Sequence, residues 1–446
     1  SFSANYAYNK KYVLQTELNY SGMMKLPPGK RFNLFSTVGA GWVVSNEDFL
    51  KNNKTINYLK LFSTFGVMGV DNFYIEGYDP FYLHETLWRN IGTWRPGIEG
   101  NFADYVNIYE IVQQGSSNYE IPKRNYFNIG LESLFLRKSL SASFNYFRIK
   151  DYDMLSLMES RVPSLFGTGG FLPATNFGVN ERWGIDGGLQ YSNKFGEIDL
   201  GVGFNASYTR GKYIDVDEPM ALDEHRKLAG KDMDLIWGFE TDGLFQSASE
   251  VNEYKNNTSW GSMQPGDIRY VDYNGDDVID AKDIHALKAH LPRINYGVNL
   301  SVVYQGFRLL IIGKGVGDGK TMLTNSRYFW INSENQNFSQ PMLDRWPISN
   351  DYPRLTTSSP HNYQVSSYWL RNASYFSLSN VELSYTLPRS FSLNMRMKDT
   401  RIFFRGSNLF HFSGLTSYGL NPEDGSAGIQ YYPQMRTITF GFSAKF

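Results

Sequence analysis

The last eleven residues, Arg436 to Phe446, put apolar side chains on one parity (Ile438, Phe440, Phe442, Ala444, Phe446). Small or polar ones fall on the other (Thr437, Thr439, Gly441, Ser443, Lys445). This is the two-residue period of a strand with unlike faces. About ten residues, tilted, is what a strand needs to cross a bilayer, and a transmembrane barrel turns its apolar parity outward. A soluble edge strand shows the same alternation, so recurrence along the chain decides between the two.

The pattern recurs. Strands are predicted at residues 2–8, 12–20, 32–44, 58–67, 126–136, 140–149, 183–191, 198–208, 294–304, 307–316, 375–387 and 401–410, ahead of the terminal one. Short turns at Asn9-Lys10-Lys11, Arg137-Lys138, residues 193–196 and Gln305-Gly306 alternate with long stretches at 68–124, 211–293 and 317–372. Outer-membrane barrels have short periplasmic turns and long extracellular loops. With Phe446 ending in the periplasm, every short turn falls on that side. A soluble sandwich has no reason to sort its loops this way. About thirteen strands are predicted, an odd number, and the first runs downward, so the expectation is the C-terminal part of a larger barrel: alone it would leave two edges unpaired in lipid.

Composition agrees. Aromatics are 16% of the 446 residues and Gly numbers 41, a mix suited to strands rather than helices. No apolar run of about 18 residues exists to form a spanning helix, a test that barrels evade because half of each strand is polar. The net charge of −1 gives no field for nucleic acid, and the absence of Cys removes thiolate metal sites and Cys nucleophiles. No signal peptide opens the chain, since residues 1–8 already read as strand.

Several stretches resemble the SusC/RagA-type TonB-dependent outer-membrane transporters. Among them are residues 35–42 (FSTVGAGW), 59–66 (LKLFSTFG), 128–132 and 243–247. The most specific is Pro265-Gly266-Asp267-Ile268-Arg269-Tyr270, leading into residues 272–280 (DYNGDDVID). Residues 368–372, 381–388, 406–410 and Tyr432-Pro433 follow in order. The resemblance covers essentially the whole chain. It implies an all-β, antiparallel 22-stranded barrel filled by a plug, energised by TonB, capped by a SusD-like surface lipoprotein and importing oligosaccharides or peptides. Plug, TonB-binding segment and first strands are missing from this chain, so residues 1–446 correspond to the C-terminal barrel portion, with 211–293 a long extracellular loop. Phe440, Phe442 and Phe446 are the expected membrane-assembly signal.

Two constellations are candidate sites. Asp272, Asn274, Asp276, Val278, Asp280 and Asp283 occupy positions one, three, five, seven, nine and twelve of an EF-hand-like loop, where alternating oxygens suit calcium. Position six is Asp277 instead of Gly and position twelve is Asp instead of Glu; the other reading is an acidic turn held by side-chain-to-backbone hydrogen bonds. Loop tryptophans Trp88, Trp94, Trp260, Trp330 and Trp346 offer flat faces for sugar rings or peptide side chains, or else pack loop against loop. Trp42, Trp183 and Trp369 lie near strand ends and are expected in the interfacial girdle. No enzyme is expected: the six histidines lack metal spacing, Asp215 and Asp217 show no sign of burial, and the glycines at 313, 315, 317 and 319 have no phosphate-loop context. The reading is a nutrient transporter in a Gram-negative outer membrane. Its rivals are a barrel kept as a structural or assembly component without transport, and a soluble all-β adhesin.

Overall fold

A computed structural model describes the chain except residues 74, 76–80, 95–105, 164, 166–171, 255–256, 326–328, 330–338, 357–359, 390–396, 398, 425–433 and 446. Thirteen strands form one antiparallel sheet: β1 (Phe2–Tyr8), β2 (Tyr12–Gly22), β3 (Phe32–Val43), β4 (Ile56–Gly69), β5 (Lys123–Phe135), β6 (Leu140–Ser156), β7 (Thr175–Phe195), β8 (Ile198–Asp215), β9 (Ile294–Tyr304), β10 (Phe307–Gly317), β11 (Tyr375–Thr386), β12 (Asp399–Ser413) and β13 (Thr437–Lys445). Each pairs with its neighbour in sequence, so successive connections fall at opposite ends of the wall. Connections 9–11, 44–55, 136–139, 196–197, 305–306 and 387–398 share one end. Those at 23–31, 70–122, 157–174, 216–293, 318–374 and 414–436 share the other. Among the described residues β1 and β13 do not pair, which leaves the wall with two edges.

Register separates two faces. The outward parity exposes Phe2, Leu14, Leu34, Phe65, Ile129, Phe144, Leu189, Phe204, Leu383, Phe404 and Phe440. So much apolar surface on one face of a sheet is what a lipid solvent covers. The inward parity carries the polar and charged side chains, several of them cross-linked, among a smaller number of apolar ones such as Phe62 and Leu310. Lys60 lies opposite Glu132, Asn145 donates to Asp186 at 3.0 Å, and Glu382 takes Arg405 Nε at 2.8 Å with Arg401 at 3.4 Å. Glycines let neighbouring rings lie flat on the wall: a Cβ at Gly313 would strike Phe376 and one at Gly315 Tyr296, which accounts for the glycine run at the end of β10.

At the short-turn end, Glu47 accepts from Lys11 (2.9 Å), Tyr12 Oη (2.8 Å) and Trp42 Nε1 (3.0 Å). These bonds, Lys11 foremost, hold its carboxyl down to about 2. Trp42 therefore has its polar edge anchored and its ring outward, as an interfacial aromatic requires. At the other end Trp183 lies against Tyr208, ring centroids 5.6 Å apart, on the same outward parity. Trp369 corrects the girdle expectation: it is fully buried inside the loops.

Among the described residues no packed interior lies within the wall, and the two buried apolar clusters are built by the long connections. Leu26, Phe73, Leu83, Tyr119 and Ala174 join loops 23–31, 70–122 and 157–174. Phe239, Ile268, Tyr270, Tyr352, Trp369 and Leu415 join loops 216–293, 318–374 and 414–436. Two consequences of the facing rule can be measured in detergent-extracted protein. Phe440, paired with Phe404 near mid-strand, should cost about 2–4 kcal/mol when changed to Arg, whereas Thr439→Arg on the inner parity should cost under about 1 kcal/mol. Urea unfolding in micelles reads both, and equal penalties would refute the assignment of faces.

Candidate functional site

The second loop cluster is organised by one buried carboxylate. Gly266 adopts φ 88°, and a Cβ there would lie 2.6 Å from the Trp346 ring, so only glycine fits this turn. The turn delivers Asp267 to the interior, fully buried. Asp267 accepts from Arg354 Nε (2.6 Å) and Nη2 (3.3 Å), from Asn362 Nδ2 (2.8 Å) and from the Gln264 amide (2.8 Å). A buried charge is tolerated when paired and hydrogen-bonded this completely. Asn362 in turn accepts from the Ile268 amide (2.9 Å) and, through its carbonyl, from Trp369 Nε1 (2.8 Å). His361 Nε2 meets the Ile268 carbonyl at 2.7 Å, and Tyr270 Oη donates to the His361 carbonyl. Segment 265–270, the block that carries the resemblance most specifically, is thus the strut joining loops 216–293 and 318–374.

The tryptophans divide. Trp260 packs edge-on to Phe239 (5.1 Å) and Tyr270 (5.4 Å), and Trp346 lies against the same cluster. Both serve loop packing. Trp88 and Trp94 are exposed on a hairpin of Leu87–Trp94 with Val106–Gln113 inside loop 70–122, free to meet a ligand or a partner. Trp330 and Phe446 lie outside the described residues. Among the described residues, Trp88, Trp94, Trp260 and Trp346 are therefore not brought into one platform.

In the acidic segment, Asp272 accepts from the amides of Gly275 (2.6 Å) and Asp277 (2.8 Å). Asn274 and Asp276 accept from the amides two residues on, at 3.0 and 3.1 Å. Asp277 stands at φ 60°, so position six makes the left-handed turn without glycine. Asp283 is buried and accepts from the amides of Tyr273 (2.9 Å), Asn274 (3.3 Å) and Asp280 (2.8 Å). Asp280 caps the next turn through the Lys282 amide, and Val278 pairs with Asn257. The Lys282 ammonium stands 3.2 Å from Asp276 and 3.8 Å from Asp280. That hydrogen bond raises the lysine's pKa, and Asp276 lies below its ordinary value, chiefly through Asn274. Among the described residues no three acidic or imidazole groups converge on one point.

The remaining titratable candidates are structural. His285 stacks on Tyr273 (4.1 Å), His290 Nδ1 meets the Lys320 carbonyl (3.2 Å), and Asp217 ties Ser160 to the end of β8.

A wall with an apolar outer and a polar inner face, roofed at one end by packed loops, defines a transmembrane β-barrel. No family model matches the chain. Over 99% of its length it is 22% identical to TonB-dependent receptor P3 and 23% to TonB-dependent receptor P26, both of Formosa agariphila, and 21% to TonB-dependent receptor SusC of Bacteroides thetaiotaomicron. It spans 45%, 45% and 43% of those proteins, less than half of each. A chain of the RagAB peptide transporter superposes on all of it with TM-score 0.75 at 20% identity, again over 47% of that chain. The resemblance to SusC/RagA-type TonB-dependent receptors and the all-β barrel wall are both borne out. The relatives named are receptors and transporters rather than enzymes.

Two tests follow from the buried network. Asp267→Ala strands Arg354 and Asn362 and should destabilise the second loop cluster by about 3–5 kcal/mol, seen as faster amide exchange in segments 239–245 and 361–369; unchanged exchange would refute its central place. Burial pushes the His361 imidazole below its ordinary 6.5, and the folded cluster holds it neutral. Because the folded value is the lower one, cluster stability should be full above about pH 6.5 and fall as pH drops below it, by at most about 1.4 kcal/mol per pH unit. His361→Gln should flatten that slope; an unchanged slope would assign it to another group.

Proposed function

We propose that this chain forms the C-terminal barrel wall and surface loops of a SusC/RagA-like TonB-dependent transporter in a Gram-negative outer membrane. It imports a bulky nutrient, an oligosaccharide or a peptide. The observation that carries this reading is the similarity to TonB-dependent receptors along 99% of the chain. The inner face supports it, because amides, hydroxyls and paired charges recur along that face and suit polar cargo. In this reading the long connections face the cell surface, a SusD-like lipoprotein sits over them, and TonB acts through a part of the protein outside this chain. The exposed Trp88 and Trp94 hairpin and the buried loop clusters belong to that outer vestibule.

Uptake of a labelled oligosaccharide and peptide library by cells with and without the gene tests the proposal. Gene-dependent accumulation that disappears with a protonophore or on deletion of TonB is the expected result. A protein that inserts normally while its deletion changes envelope integrity and no uptake would instead establish the assembly role.

We also propose that segment 272–283 takes calcium with the modest affinity of extracellular modules. Its spacing and the left-handed Asp277 support this, and the ion would displace Lys282 from Asp276. Millimolar Ca²⁺, but not Mg²⁺, should then raise the thermal midpoint of the full protein, and Asp272→Asn with Asp276→Asn should abolish the rise. Identical midpoints with and without about 1 mM Ca²⁺ would leave the segment a self-bonded turn.

A further inference from the structure

Beneath the second loop cluster, where β8 ends beside the first part of β7 and β9 begins, the wall and the loops enclose an open cavity of about 810 Å³. Its size is that of a site for a small ligand. Its apolar lining comes from Met233, Ile236, Leu291, Met322 and Val365, all aliphatic or thioether, and none of the described residues lining it is Trp, Tyr or Phe. Sugar rings are held by flat aromatic faces with polar neighbours, and this lining supplies no such face. Flexible aliphatic and methionine surface suits branched side chains.

The polar lining is uneven in charge from one side of the cavity to the other. Asp151 is held by Arg124 through Nε (2.5 Å) and Nη2 (3.0 Å), and Arg182 adds a second guanidinium at 3.1 Å. One carboxylate thus faces two cations. Across the cavity Arg210 and Arg293 meet three carboxylates, Asp232, Asp234 and Asp318. The positive excess is therefore local, at Arg182, which shares Asp151 with Arg124, is part exposed and lines the cavity. Gly211 leaves room for both side chains: a Cβ there would lie 3.1 Å from Arg182 Cγ and 3.3 Å from Met233 Sδ, so the arginine stem and the thioether both lie over the glycine. A guanidinium has five donor hydrogens, and its fork fits a carboxylate.

We infer that this cavity is a peptide subsite, taking an aliphatic side chain on Met233 and Leu291 and a carboxylate on Arg182, and discriminating against uncharged sugar rings. The inference rests on the transport reading and narrows its cargo to acidic, aliphatic peptides. Calorimetry on the full-length protein in detergent tests it with three probes: a leucine–glutamate pentapeptide, its amidated leucine–glutamine counterpart, and maltoheptaose. The acidic peptide should bind, the neutral one about tenfold or more weaker, and the glucan not at all. Arg182→Gln should weaken the acidic peptide about tenfold and leave the neutral one unmoved. Leu291→Ser should weaken both peptides severalfold. Asp151 keeps Arg124 in the first variant and Leu291 is exposed in the second, so both should fold. Tighter binding of maltoheptaose than of peptide, or peptide affinity indifferent to both substitutions, overturns the inference. If neither peptide binds while gene-dependent, TonB-dependent uptake persists, the subsite falls and the transport reading stands; loss of uptake as well removes both.

Discussion

Every backbone amide and carbonyl in the hydrocarbon layer must find its partner inside the protein, since lipid offers none. That requirement fixes the sheet before any side chain is considered. It explains why all thirteen strands pair with their neighbours in sequence, and why the ladders run unbroken through the central part of the wall, as from Ile198 to Tyr208 against β9. It also sets a condition on the two edges. On their outer margins β1 and β13 meet no further strand among the described residues, and a barrel of this class closes only when such margins are paired.

Lipid also relieves the wall of the need for a packed interior. A soluble sheet must bury its apolar face against another layer; here the bilayer is that layer, and the inner face is left for hydrated chemistry. The long connections have no such help. Above the membrane they meet water, so they must build cores of their own, and they do so by pooling three loops into each cluster. Asp267 shows how tightly this is specified. Its four donor groups belong to three residues in two loops, so those loops lock together only when 264, 354 and 362 are all in place.

This division decides what was legible in the sequence. The membrane-spanning parts were, because two unlike solvents impress a two-residue period. β9 was read to the residue, Ile294 to Tyr304, bounded by Pro292 and the Gln305-Gly306 turn. β7 was read as 183–191 but runs from Thr175 to Phe195. Beyond the bilayer its outward parity turns polar, as where Glu181 pairs with Arg148, and the period fades while the hydrogen bonds continue. The Leu87–Trp94 hairpin was missed for a related reason: bulges at Leu87/Trp88 and Asn90/Gly92 break its alternation. Trp369 was misplaced because nearness to a strand end says nothing about partners more than a hundred residues away, such as Phe239 and Leu244. The strut at 265–270 was noticed only as a resemblance; its glycine and aspartate were the available signal, but Arg354 and Asn362 carry no local mark.

Charge on the inner side is the feature that joins wall and loops into one functional surface. The Lys314 ammonium reaches from β10 to Glu423 in the last long loop at 2.8 Å, and Arg293, at the foot of β9, gathers Asp232, Asp234 and Asp318 from the two loops that flank it. Such pairs are partly buried, so breaking one strands its partner rather than returning it freely to water. The loop roof is therefore fastened to the wall by groups whose loss costs more than their net gain. A roof held this way stays fastened to its end of the wall, while Trp88, Trp94 and Leu291 remain uncovered on its exposed side.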